Sequence, residues 1–173
     1  LEQYHTPPDL AAHIVHVADL RGDIEGRTVL DLGCGTGMLA LGAALRGPKR
    51  VVGLDIDPAP LSTARENERR VGAMTDVSWV RGDATRAPFA PKIPERVTVL
   101  MNPPFGAQSG NKGADRAFLE TASQLSAVSY SVHNAGSESF VEAFAADNEG
   151  TVTDAFAAEF EVPRQFEHHT NDA

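Results

Sequence analysis

Four consecutive residues, Asn102-Pro103-Pro104-Phe105, could do chemistry. Two adjacent prolines fix φ at both positions and offer no N–H, so the neighbouring carbonyls point in set directions. Such rigidity suits an acceptor that is hard to activate. An amino group conjugated to an aromatic ring is a poor nucleophile because its lone pair is delocalised. If the Asn102 side-chain oxygen and the Pro103 carbonyl accept its two hydrogens, the nitrogen can rehybridise and aim that lone pair at an electrophilic carbon. Positioning and charge complementarity, without a strong general base, would then drive an in-line displacement. Phe105 can stack on a base that is unpaired or rotated out of its helix. The bland alternative is an Asn-Pro-Pro turn followed by a core phenylalanine.

A second constellation lies three strands earlier. Gly33-Cys34-Gly35-Thr36-Gly37 joins a strand to a helix, and its glycines permit a tight turn and close approach to a ligand. Read from Gly35, GTGMLA also satisfies the dinucleotide pattern G-x-G-x-x-A, so the glycines leave two cofactor classes open. Asp31 favours a methyl donor: its carboxylate would repel a pyrophosphate and attract the ammonium and sulfonium of S-adenosylmethionine. Asp55, ending the next strand, suits ribose hydroxyls, a role both classes share. Asp83 and Ala84 follow the third strand, where they could meet the adenine ring. Asp57 and Asp83 also lie in turn-like contexts, and local capping is the competing reading, favoured for Asp57.

Repeated β-α units must position these groups. Strands are expected over Thr28–Leu32, Arg50–Asp55, Val77–Arg81, Val97–Met101 and Ala127–Val132. Helices are expected over Asp9–Leu20, Met38–Arg46, Pro58–Val71, Ala114–Leu125 and Ser137–Ala146. Asp9 and Ser137 are candidate N-caps, Pro58 suits a first turn, and Gly47 a C-terminal stop. Thr151–Val162 alternates apolar and polar residues like a half-exposed antiparallel edge strand. The expected fold is a Rossmann-like class I methyltransferase: a mostly parallel twisted sheet of up to seven strands, flanked by helices, the last strands antiparallel. One domain is expected over 1–173, with a polar tail at 163–173 and, as the family resemblance given below implies, segment 1–8 over the cofactor.

Net charge is −9, which argues against a generic polybasic nucleic-acid or membrane binder. The charge is partitioned: residues 1–116 carry 14 acids and 14 bases, whereas 117–173 carry 10 acids and only Arg164. The half that bears both constellations is neutral. Few lysines and many carboxylates also fit a surface adapted to concentrated salt. The single Cys34 excludes an internal disulfide and a cysteine-based zinc site, and no metal site is expected. His133, after the fifth strand, could reach the same edge, with a local structural role preferred. Without a signal-like or 18-residue apolar run, a cytoplasmic location is expected. The missing initiator Met fits the ordered part of a longer protein.

Together, Leu1-Glu2-Gln3-Tyr4-x-Thr6, Asp31-Leu32-Gly33-Cys34-Gly35, Gly53-x-Asp55-Ile56-Asp57, Asn102-Pro103-Pro104-Phe105-Gly106 and Asn111-Lys112-Gly113-x-Asp115-x-Ala117-Phe118-Leu119 resemble the methyltransferase-like-five family, which modifies adenine in small-subunit ribosomal RNA. The resemblance runs from Leu1 to about Phe166 and fits an archaeal-type, salt-adapted member. It implies that Gln3 and Thr6 close over S-adenosylmethionine, that Gly33, Thr36 and Met38 line its methionine side beside Gly35 and Gly37, that Asp55 holds its ribose, and that Asp83 and Ala84 bind its adenine. It further implies N(6)-methylation of adenine in ribosomal RNA and a small zinc-ribbon activator protein joined at the third strand, near Val77–Arg81. Trp79 there could equally pack beneath the helix Pro58–Val71. The tail departs from the lysine-rich family pattern, reading Gln165-Phe166-Glu167-His168-His169-Thr170. The rival activities are methylation of a protein glutamine or of guanine, nucleotide binding without transfer, and NAD-dependent oxidation through GTGMLA.

Overall fold

Runs of β-branched and aliphatic residues too short for helices form the centre of the molecule, because strands covered by helices on both faces must be apolar on both. The structure, a computed structural model, describes residues 5–90, 94–104 and 113–159. Five strands, β1 (Thr28–Leu32), β2 (Arg50–Asp55), β3 (Val77–Arg81), β4 (Val97–Met101) and β5 (Val128–Ser131), pair in the order β3-β2-β1-β4-β5, all parallel. Five helices surround them: α1 (Pro8–Leu20), α2 (Met38–Ala44), α3 (Pro58–Val71), α4 (Ala114–Leu125) and α5 (Glu138–Asp147).

Alternate strand residues separate two cores. Val29, Val51, Val77 and Leu100 face the apolar sides of α1 and α2, whereas Leu30, Leu32, Leu54, Val99 and Met101 face Phe118, Leu119 and Ala122 of α4 and Phe144 of α5. At the amino end, Tyr130 donates to Asp23 at 2.6 Å and Thr98 donates to the Asp23 carbonyl at 2.6 Å, tying the α1–β1 connection to β4 and β5.

The expected boundaries hold for β1 to β4, α3 and α4, and β5 is shorter by two residues. Asp57 caps α3 by accepting from the Ala59 N–H at 2.9 Å, with Pro58 in the first turn, so its capping role is the one seen. Pro7, not Asp9, is the N-cap of α1; Ser137 is that of α5, without a side-chain bond. Helix α2 ends at Ala44, and Gly47 turns beyond it with φ +74°.

The expected antiparallel edge strand is corrected by the structure. Residues 151–159 carry no strand; they run across α1, where Arg21 bonds Thr153 and pairs with Asp154 and where the rings of His13 and Phe156 meet edge to face at 5.5 Å. Apolar–polar alternation specifies a face but supplies no partner strand for the ladder, and α1 offered side-chain partners instead. Residues 160–173, including the expected tail, lie outside the described residues.

Candidate active site

Strand order reverses at β1, and the crevice at such a switch point opens at the carboxyl ends of the strands. Leu32 of β1 pairs in register with Leu54 of β2 and Met101 of β4. The chain therefore leaves β1 at Gly33, β2 at Asp55 and β4 at Asn102 along a single edge, which brings the glycine loop and the Asn-Pro-Pro segment together.

The Leu54 carbonyl accepts from the N–H groups of Gly33 and Cys34 at 2.8 and 2.9 Å, and the Cys34 carbonyl accepts from Gly37 at 2.8 Å. Asn67 of α3 donates to the Thr36 carbonyl at 3.1 Å. Gly37 shows why the loop needs glycine: φ is +88°, and an added Cβ would lie 2.5 Å from Cη2 of Trp79. Trp79 packs against Gly37 and Gly53, while its indole N–H donates to Glu68 at 2.8 Å. It thus fills the space beneath α3 and supports the loop from behind. The other Glu68 oxygen accepts from the Val77 N–H at 2.7 Å.

The acids divide by burial. Asp31 is 1% exposed, and one of its oxygens accepts from the Ala40 N–H in the first turn of α2 at 2.9 Å. Burial, with the nearby charge of Asp55, pushes its carboxyl up to about 7. Asp31 is therefore a buried, easily protonated group joining β1 to α2. Asp55 accepts from the N–H groups of Gly35 at 2.8 Å and Asp57 at 2.9 Å. Asp83 takes Thr85 N–H and O–H on one oxygen at 2.8 and 2.7 Å, the local turn that competed with its cofactor role, and Ala84 beside it is buried. Met38 is half-buried at the start of α2. Burial, then the charges of Asp31 and Asp55, push the Cys34 thiol up, which keeps it protonated and non-nucleophilic.

On the acceptor side, Asn102 donates through Nδ2 to Thr6 Oγ1 at 3.0 Å, while its Oδ1 is buried without a partner. Gln3 and Phe105 lie outside the described residues. One further group lies near this edge. His133 Nε2 lies 2.8 Å from Ser131 Oγ, and its Nδ1 lies 4.0 Å from Asp115 Oδ2 at the start of α4. Asp115 Oδ1 and His133 Nδ1 join Asn102 Oδ1 as buried side-chain atoms without a hydrogen bond. Burial lowers the His133 pKa despite Asp115, so the ring is neutral near pH 7. The available signal was positional: all three residues lie just beyond strand ends or in a first helical turn. Among the described residues no cluster of three or more His, Cys, Asp or Glu could hold a metal, and no helix is long and apolar enough to cross a membrane.

A methyltransferase domain model matches residues 29–125. An rRNA N(6)-adenosine-methyltransferase of Drosophila melanogaster is 39% identical over 144 residues, covering 82% of this chain and 67% of that protein. The Danio rerio rRNA N(6)-adenosine-methyltransferase METTL5 is 32% identical over 173 residues, covering 98% and 81%. A candidate RNA methyltransferase of known structure from Pyrococcus horikoshii superposes with a TM-score of 0.77 at 38% identity, covering 89% of this chain and 75% of that one. With the glycine loop and Asn102 at one sheet edge and relatives matched over most of its length, the chain belongs to the METTL5-like family of S-adenosylmethionine-dependent methyltransferases.

Proposed function

We propose that this protein transfers a methyl group from S-adenosylmethionine to the exocyclic amino group of an adenine in small-subunit ribosomal RNA, giving N(6)-methyladenosine. The observation that carries the reading is the Asn102 amide: one end is fixed by Thr6, and the other presents a buried oxygen without a partner at the edge beside the glycine loop. A buried acceptor without a donor is unfavourable unless a ligand supplies one, and an amino group does.

The residues fit a methyl donor. Gly33, Gly35 and Gly37 turn the backbone with positive φ, clearing side chains from one wall, and Thr36 and Met38 continue that wall. Asp55, and Asp31 once a cationic donor draws off its proton, would give the pocket negative character suited to a cation. Asp55 would accept from the ribose, Asp83 and Ala84 would meet the adenine, and Gln3 and Thr6 would close the site. When bound, S-adenosylmethionine supplies an electrophilic methyl group. Asn102 Oδ1 and the Pro103 carbonyl would accept the two amino hydrogens, freeing the nitrogen lone pair to take that methyl group in place of the donor's sulfur, and the proton lost from the nitrogen would pass to solvent. Pro104 stiffens the segment, and Phe105 would stack on the target base.

The reading extends to a single domain over 1–173, acting in the cytoplasm. For a partner we favour a small zinc-ribbon activator that extends the sheet beside Val77–Arg81. Support for that position is the place of β3 at the sheet edge, where backbone groups are a pairing template. Mass spectrometry of ribosomal RNA nucleosides from cells with and without the gene tests the substrate: N(6)-methyladenosine should fall in the small subunit, and an unchanged level rejects the proposal. Asn102→Ala should bind S-adenosylhomocysteine within about twofold of wild type and lose turnover; equal loss of both would make the segment structural.

A further inference from the structure

Thr6 and Asn102 stand 96 residues apart, yet their side chains meet at 3.0 Å. Both are mounted on diprolines. Thr6 runs into Pro7-Pro8, with Pro7 at φ −57° and ψ 142°, and Pro8 begins α1, which is anchored by buried Ala11, Val15 and Ala18. Asn102 runs from the fully buried strand β4 into Pro103-Pro104. Neither backbone has much freedom to leave the contact.

The contact decides whether the reactive orientation of the amide is satisfied at its inner end. A primary amide has an acceptor end and a donor end of nearly the same shape, so packing alone does not choose between its two orientations. Only the oxygen can receive a hydrogen from an amino group; an outward NH2 would set donor against donor. A hydroxyl can serve either end of an amide. In the observed arrangement Thr6 accepts from Nδ2, and Oδ1 is left for the acceptor substrate. We propose that Thr6 is a positioning residue that pairs the inner end of the Asn102 amide, so that its oxygen can face the reacting amine without leaving Nδ2 unsatisfied. This role rests on the amino-methylation reading above and differs from contact with the methyl donor, which the family resemblance implies for Thr6.

Thr6→Val removes the hydroxyl at nearly constant volume, leaving Nδ2 unpaired in the reactive orientation; Thr6→Ser restores the hydroxyl. With an RNA substrate, Thr6→Val should lower kcat about tenfold, the scale of one misdirected hydrogen-bonding group, with affinity for S-adenosylhomocysteine within about twofold and Thr6→Ser close to wild type. In 15N-labelled protein without substrate, the Asn102 side-chain NH2 protons should exchange faster in Thr6→Val and at the wild-type rate in Thr6→Ser. Unchanged kcat, or affinity for S-adenosylhomocysteine falling in step with kcat, overturns the positioning role. So does unchanged NH2 exchange, which reads the contact independently of turnover. Wild-type protein that shows the exchange difference but makes no N(6)-methyladenosine refutes the proposed function, and with it the catalytic meaning of the contact.

Discussion

Replacing Asp31 by Asn tests how the cofactor loop is held, because the two side chains have nearly the same shape and differ in whether they can ionise. The carboxyl is buried between β1 and the first turn of α2, where burial and the charge of Asp55 push it from 3.8 up to about 7. At about 1.4 kcal/mol for each tenfold change in proton affinity, ionising it inside the fold costs about 4 kcal/mol more than in the unfolded chain. Between the two pKa values the folded protein binds a proton that the unfolded chain has released. This contribution to stability is therefore fully present below pH 3.8 and is lost as pH rises through about 7. Urea unfolding of wild type and Asp31→Asn across pH 4.5 to 8 should show the wild-type stability declining relative to the variant by roughly 3 kcal/mol, the part of that cost that falls within the scanned range. The Asn oxygen can still accept from the Ala40 N–H, so the difference isolates the charge. Calorimetry supplies a second readout: a cationic methyl donor favours the ionised form, so its binding to wild type near pH 7 should release protons, and binding to Asp31→Asn should release fewer. Parallel pH profiles for the two proteins would refute the buried-carboxyl account.

Two further outcomes follow from contacts around the loop. Gly53→Ala puts a Cβ within 2.5 Å of Trp79 Cζ3 and should cost about 1–3 kcal/mol, read as a fall in Tm; Trp79→Leu in the same chain should cancel part of that loss, and simple additivity would show that the clash is not the cause. His133 is buried neutral and its pKa is lowered, so the unfolded chain takes up that proton first; wild-type Tm should fall as pH drops below about 6.5, and His133→Asn should flatten that slope.

Much of the fold was legible because its signals are local. A parallel strand covered on both faces must be a short apolar run, and Gly37, Pro58 and Gly72 mark where helices can begin or end; β1 to β4, α3 and α4 therefore have the expected boundaries. Residues 151–159 were misread for the complementary reason. Alternation is local, but a strand exists only where another backbone is free to pair, and here Arg21 and His13 of the α1 region engage the segment instead. The glycines alone left methyl donor and dinucleotide open, and membership of the family settles that choice. Residue types and their spacing already set out the chemistry on offer: a diproline-mounted amide at one strand end, a glycine turn at another, and acids at or beyond the ends of the first three strands. Tertiary structure decided which end of the Asn102 amide is free, that Asp31 is buried where ionisation is costly, and that His133 comes within 4.0 Å of Asp115. These depend on distances between residues remote in the chain and on exclusion of water, neither of which is encoded in local spacing.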